Sequence, residues 1–369
     1  MKLKRNFFEI TAAALFTIIV ITAPMQSLKA ARDALALCEN SVIPALFPFF
    51  VCSGMLVRLG AAAMMGKALR RIMTPVFGLS GCSSLAMVMG LISGYPVGAK
   101  TAASLVCEGS CHKSEGEKLL AFCNNSGPLF ILGAVGSGML GSNEAGVILY
   151  TSHLLSAFTI ALLMRNIRCR ITPESTSPIR ANTSGFGGVL TDSISSASEL
   201  VFTVSGFVVV FNILISALEH FGFIRGDAAR VAVCGLLEPT NGCIAAVRAI
   251  KNPVLLYMTL SAIIGWSGIS VHLQVLGIIK TASLSPKYYF AGKALMSFIA
   301  PIYTFILIKI FPPVVPAAAF GKNFDLPGIY CSSLEYFAVS LTATAVFLVF
   351  STILYNKFKN CNKKVTRCS

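Results

Sequence analysis

Five consecutive residues, Asn124-Asn125-Ser126-Gly127-Pro128, stand in the middle of the apolar run 119–141. Two side-chain amides and a hydroxyl supply donors and acceptors, while Gly127 and Pro128 stop a helix from passing straight through. Lipid offers no hydrogen bonds, so irregular backbone at mid-membrane depth survives only inside protein or beside a watery cavity. Breaks of this kind are where secondary carriers hold cargo, because half-helix N-termini present free N–H groups and partial positive charge to an anion. Three further stretches share the character: Ser93-Gly94-Tyr95-Pro96-Val97-Gly98, Leu237-Glu238-Pro239-Thr240-Asn241-Gly242 and Gly265-Trp266-Ser267-Gly268.

The candidate binding residues follow from these stretches: Ser93, Gly94, Tyr95, Asn124, Asn125, Ser126, Thr240, Asn241 and Ser267, with Tyr95 and Trp266 as apolar walls. For each of them the competing reading is a residue that caps or turns a helix and touches no ligand. Lys100, two residues after Gly98, is the cationic candidate; its alternative is a lysine whose stem snorkels to the membrane interface. Glu238 reads either as an ion-coupling carboxylate for Na⁺ or H⁺ or as a helix N-cap. His272 reads as a packed or hydrogen-bonded residue rather than a proton relay. No Ser/His/Asp or Cys/His set converges on one face, so the chain does not read as an enzyme. Cys107, Cys111 and His112 fall short of a four-ligand metal set, and no cofactor is expected.

Composition says what carries these stretches. Of 369 residues, 55% are hydrophobic and 12% charged, against about 25% charged in soluble domains, which places the chain in the bilayer. The formal net charge of +15 could suit nucleic acid, but the cations cluster in short loops beside apolar runs, the positive-inside pattern. Lipid and a small-molecule substrate are therefore the expected partners, nucleic acid is not, and a homo-oligomer is left open. The twelve cysteines lack disulfide-like spacing and read as small core-filling hydrophobes.

The order of apolar runs predicts an all-α polytopic membrane protein with about eight transmembrane helices and two re-entrant hairpins. Residues 1–32 hold the first span (7–28), whose basic flank Lys2, Lys4 and Arg5 puts the N-terminus in the cytoplasm. Residues 33–171 hold a span over 33–57, a hairpin over 72–106, a broken span over 117–141 and a span over 145–164. A Thr/Ser/Pro/Gly-rich linker, 172–188, joins this half to residues 189–311. That second half holds a span over 190–218, a hairpin over 228–250, a broken span over 253–279 and a span over 288–311. Residues 312–369 supply an external loop, a last span over 332–355 and a basic cytoplasmic tail.

A shift of about 140–150 residues lays one half on the other. Gly98 falls on Gly242, and Ser126-Gly127 falls on Ser267-Gly268. Basic loops give the matching spans 33–57 and 190–218 opposite directions, so the halves read as an inverted repeat, the arrangement of alternating-access carriers.

The stretches Ser93-Gly94-Tyr95-Pro96-Val97-Gly98-Ala99-Lys100, Asn124-Asn125-Ser126-Gly127-Pro128-Leu129-Phe130 and Gly235-Leu236-Leu237-Glu238 resemble those of the YlbJ-type sporulation integral membrane proteins, also called SpoVV, over roughly residues 41–311. These are stage V sporulation proteins of endospore-forming bacteria with a nucleoside-recognition, or Gate, domain distantly similar to concentrative nucleoside transporters. The resemblance implies a carrier in the outer forespore membrane that moves dipicolinic acid, with nucleoside transport or a non-transporting assembly role as alternatives. The second-half turn, Pro239-Thr240-Asn241-Gly242, departs from the family pattern.

Overall fold

The computed structural model describes residues 2–171 and 185–311, and every described element is helical. Most of the linker, the external loop, the last expected span and the basic tail lie outside the described residues. Helix α1 (Lys2–Thr22) ends at Ala23, where the axis turns by 104° into α2 (Pro24–Leu37). Proline opens a helix without loss because a first-turn N–H has no intrahelical partner. The boundary expected between 28 and 33 therefore lies earlier, and a long helix follows: α2 runs through a π-helical turn, Cys38–Val42, into α3 (Ile43–Arg58).

The chain then forms α4 (Ala61–Ile72), a turn over 73–83, and a hairpin of two short helices, α5 (Ser84–Ile92) and α6 (Val97–Cys107). The expected hairpin over 72–106 is thus narrower, because α4 and its turn pack separately. Helix α7 (Lys113–Cys123) stops at Asn124, no helix forms over 124–127, and a π-helical stretch, Leu129–Met139, completes the interrupted segment. His112 caps α7 with Nδ1, which accepts from the Ser114 amide. Helix α8 (Asn143–Met164) follows, Gly136 and Gly146 letting its backbone press on the π-helical stretch.

Beyond the linker, α9 (Phe186–His220) is 35 residues long, about 50 Å at 1.5 Å per residue. It lies antiparallel to the 24–58 helix: Arg58, at the end of α3, donates to Ser196 Oγ at 2.8 Å and to Ser193 Oγ at 3.4 Å, near the start of α9. A second hairpin, α10 (Asp227–Leu237) and α11 (Pro239–Ala249), precedes a second interrupted segment, α12 (Pro253–Trp266) and α13 (Gly268–Thr281), and then α14 (Lys287–Ile310). The order hairpin, interrupted helix, long helix therefore occurs twice.

Four described segments are long and apolar enough to cross a membrane: Asn143–Met164, Phe186–His220, Pro253–Thr281 and Lys287–Ile310. Counting the two bent pairs at Ala23 and at 78–80 raises the number to six, against the eight expected over the whole chain. The polar segment 108–118 is partly drawn into the protein. Glu115 and Lys118 are fully buried; Glu115 Oε1 accepts from the Ser80 amide and from Ser83 Oγ at 2.6 Å, while Lys118 donates to the Phe77, Gly78 and Arg165 carbonyls. These two side chains pin the start of α7 to the turn before the first hairpin.

Glycines set how the hairpins meet the interrupted helices. A Cβ on Gly90 or Gly98 would come 1.5 Å or 1.9 Å from the Cys123 carbonyl oxygen, so the last turn of α7 sits in a notch between both hairpin arms. In the second half, a Cβ on Gly242 would come 2.4 Å from Gly235 Cα and 3.1 Å from Ile263. The notch predicts a contrast between two Gly→Ala variants. Gly98→Ala should lose about 1–3 kcal/mol by overpacking. Gly277→Ala, with open space around its would-be Cβ, should be neutral or gain up to about 1 kcal/mol in helix propensity. Thermal unfolding of both variants in detergent checks the pair; equal midpoints would contradict the notch.

Candidate functional site

Each hairpin tip touches the break of its own half. At the first, Gly94 has φ +78, and a Cβ there would lie 2.5 Å from the Gly127 amide nitrogen, while the Ser93 carbonyl approaches Gly127 from the other side. At the second, Gly268 has φ +76 and packs against Pro239, the Leu237 carbonyl and Glu238 Cα. Ser267 itself adopts φ +73, a left-handed conformation that a non-glycine residue holds only when its surroundings enforce it.

The breaks answer part of their own backbone demand. Asn125 Nδ2 donates to the Phe122 carbonyl at 2.8 Å, standing in for a helical amide at the end of α7. The Ser126 amide donates to His153 Nε2 of α8 at 3.0 Å. Since Nε2 accepts, the neutral imidazole carries its hydrogen on Nδ1, and that nitrogen has no partner. At the second break, Ser267 Oγ donates to the Ile264 carbonyl and accepts from Lys293 Nζ of α14 at 3.1 Å.

Helix α14 runs between the two interrupted segments. A Cβ on Gly292 would come 2.0 Å from the Ala121 carbonyl of α7, and one on Gly265 of α12 would come 2.8 Å from the Met296 carbonyl of α14. These approaches leave Tyr289 and Lys293, one helical turn apart, in the space between the breaks. Tyr289 hydroxyl is bonded to His272 Nδ1 at 2.8 Å and lies beside Asn124 and Tyr95. Trp266 meets the His272 ring edge-on at a centroid distance of 4.4 Å and donates its indole N–H to the Leu236 carbonyl. Lys293 is within electrostatic reach of Cys123, His153 and His272.

Buried polar atoms without hydrogen-bond partners gather at this crossing. They are Ser93 Oγ, both amide atoms of Asn124, Asn125 Oδ1, Ser126 Oγ, His153 Nδ1 and His272 Nε2. Buried polar groups are nearly always paired, so a concentration of unpaired ones inside a chain marks a place that takes polar matter. Ser93, Gly94, Tyr95, Asn124, Asn125, Ser126 and Ser267 thus come together with each other. His153, Tyr289 and Lys293 join them without having been candidates on sequence grounds; each sits in an otherwise apolar helix with no turn signal beside it.

The other candidates lie away from the crossing or bond within their own helix. Lys100 faces α3 and α9, where it lines a cavity of about 220 Å³ with Arg58, Glu108 and Ser196. Glu238 caps α11: Oε2 accepts from the Asn241 amide at 2.7 Å and from Asn241 Nδ2 at 2.9 Å. Thr240 also bonds this carboxylate, which is buried near Tyr95 of the first hairpin. Asn241 lines a second cavity, about 500 Å³, formed by α2, α9, α10 and α11. Ser196 and Leu200 border the smaller cavity, Asn212 and Glu219 the larger, so the two occupy opposite halves of α9.

Comparison with known proteins fits this geometry. Residues 41–167 match the family model described as Gate, nucleoside recognition. The limits of the match enclose α3, the first hairpin, the first break and α8, and so hold Ser93, Asn124, Asn125, Ser126 and His153. Ser267, Tyr289 and Lys293 lie outside the matched residues. The chain is also similar to the sporulation integral membrane protein YlbJ of Bacillus subtilis (strain 168), with 28% identity over 341 residues, 83% of this chain and 84% of that protein. No solved structure matches. The likeness to YlbJ and the long apolar helices together make this an integral membrane protein.

His153 provides a direct check on the first break. His153→Leu removes the acceptor of the Ser126 amide and should cost about 1–3 kcal/mol, the penalty of one buried unpaired donor. The measurement is the thermal midpoint in detergent against the parent protein; an unchanged midpoint would mean that the Ser126 amide has another partner.

Proposed function

We propose that the protein is a membrane carrier of a small carboxylated aromatic anion, working by alternating access between two halves, 33–171 and 189–311, of opposite membrane orientation. The observation that carries the reading is the pair of interrupted helices, each met by a hairpin tip, with unpaired buried polar atoms gathered between them. A scaffold has no need of breaks whose amides are costly to bury. The antiparallel course of the 24–58 helix and α9 supports inversion of the halves. Half-helix N-termini, amides and hydroxyls suit carboxylates, and the rings of Tyr95, Tyr289 and Trp266 suit a flat aromatic body. The likeness to YlbJ supports a role in spore formation; dipicolinic acid as the cargo, the outer forespore membrane as its place and both termini in the cytoplasm are part of the proposal.

The Gate description, nucleoside recognition, favours a nucleoside as the second reading. Amide and hydroxyl donors and aromatic walls would serve a nucleoside as well. Glu238 is the carboxylate through which Na⁺ or H⁺ would couple, although its Oε2 is committed to the α11 N-terminus.

Purified protein in liposomes, offered labelled dipicolinate and labelled uridine, separates the readings. Dipicolinate uptake is expected; uridine uptake alone would favour the nucleoside reading, and uptake of neither by correctly inserted protein would overturn both. Asn125→Leu should lower uptake at least about tenfold, since it loses the free amide oxygen at the crossing. Expression and insertion should persist. Unchanged uptake would make Asn125 a structural residue only.

A further inference from the structure

We infer that Lys293 receives the anionic end of the cargo, and so makes the crossing selective for carboxylates over neutral solutes of similar size. The inference rests on the carrier reading above and assigns its charge to one residue. Lys293 is 1% exposed and makes one hydrogen bond, to the neutral hydroxyl of Ser267. It forms no ion pair among the described residues. Buried lysines elsewhere in this chain are answered differently. Lys118 donates to three backbone carbonyls, which fill the three-donor capacity of an ammonium. Lys293 has one acceptor for three donors.

The surroundings of Lys293 complete a carboxylate receptor. A carboxylate carries two oxygens with about four lone-pair sites, so one ammonium cannot satisfy it. The His153 Nδ1–H and the Asn124 amide are unpaired donors at the same crossing, and the Ser93 and Ser126 hydroxyls are free to donate. Gly292 and Gly265 hold the α14 backbone against α7 and α12, and the Lys293 side chain is buried there. A neutral solute would leave the ammonium without an opposite charge, whereas a carboxylate supplies that charge and accepts the remaining protons. The cation belongs to the second half and most of the neutral donors to the first, so the cargo would bridge the halves.

The chain offers its own probe. Its single tryptophan, Trp266, precedes Ser267 and touches His272, so ligand at the crossing alters its emission. The protein in lipid nanodiscs is titrated with dipicolinate, picolinate and uridine, with tryptophan fluorescence excited at the red edge of its absorption. Both acids should quench or shift Trp266 saturably, and Lys293→Met should weaken both by about 10- to 100-fold, the range of a charge-assisted hydrogen bond. Lys293→Arg should retain part of the affinity. If Lys293→Met does not insert, Lys293→Gln keeps a polar side chain without the charge and carries the same expectation. Acid affinity and uptake unchanged in the uncharged variant would overturn the assignment while leaving the carrier reading intact. A response to uridine alone overturns the assignment and the anion. No response and no uptake with any solute overturns the carrier reading, and the assignment with it.

Discussion

A backbone amide at mid-membrane depth has to be answered by protein, because lipid cannot do it. The chain breaks two apolar helical segments inside the protein, and much of the described structure can be traced to meeting the resulting demand. The first break covers 124–127 and is met by an amide side chain from within, Asn125, by His153 from α8 and by the hairpin tip at Gly94. The second is a single left-handed residue, Ser267, met by its own hairpin at Pro239 and by Lys293 from α14. Gly90 and Gly98 let the first hairpin touch the backbone of its broken helix at Cys123, while Gly235 and Gly242 let the arms of the second hairpin meet each other beside the Ile263 side chain.

The two halves share an order of elements but divide the chemistry. In each, the long helix after the break sends a buried basic side chain to the serine of that break: His153 to Ser126 and Lys293 to Ser267. The imidazole accepts a backbone proton and keeps one free donor; the lysine donates to one acceptor and keeps its other donors unanswered. The unpaired amide and hydroxyl atoms accordingly gather on the first-half side and the lysine on the second. This division explains why the Gate match over 41–167 contains most of the neutral donors but not the lysine.

Turns were the most legible feature of the sequence, because Gly, Pro and Asn act locally. The hairpin tips at Gly94 and Glu238 and the breaks at 124–127 and Ser267 fall where those residues predict. Limits set by hydropathy alone were less legible: the apolar character runs through Ala23, and the bend there depends on Pro24 and on packing. Lys100 shows why nearness to a motif misleads. Two residues beyond Gly98, it is about 200° further round α6, so when Gly98 faces the Cys123 carbonyl, Lys100 faces away, towards α3 and α9. Lys293 shows the converse. Nothing around it in sequence marks a site, and its importance arises only when Gly292 brings α14 against α7, far away in the chain.

Glu238 and Lys293 are both buried ionisable residues beside a break, yet their environments differ in kind. The Glu238 carboxylate accepts two protons from Asn241 and lies at the positive end of α11, so its negative charge is compensated by its own helix. Its removal would first cost a helix cap, a structural loss that would appear whether or not any ion binds there. Lys293 has no such internal compensation: one serine oxygen faces it, and the free Nδ1–H of His153 is a donor where an acceptor is needed. Of the two buried ionisable residues, the carboxylate is thus answered by its own helix, whereas the lysine has a single acceptor among the described residues.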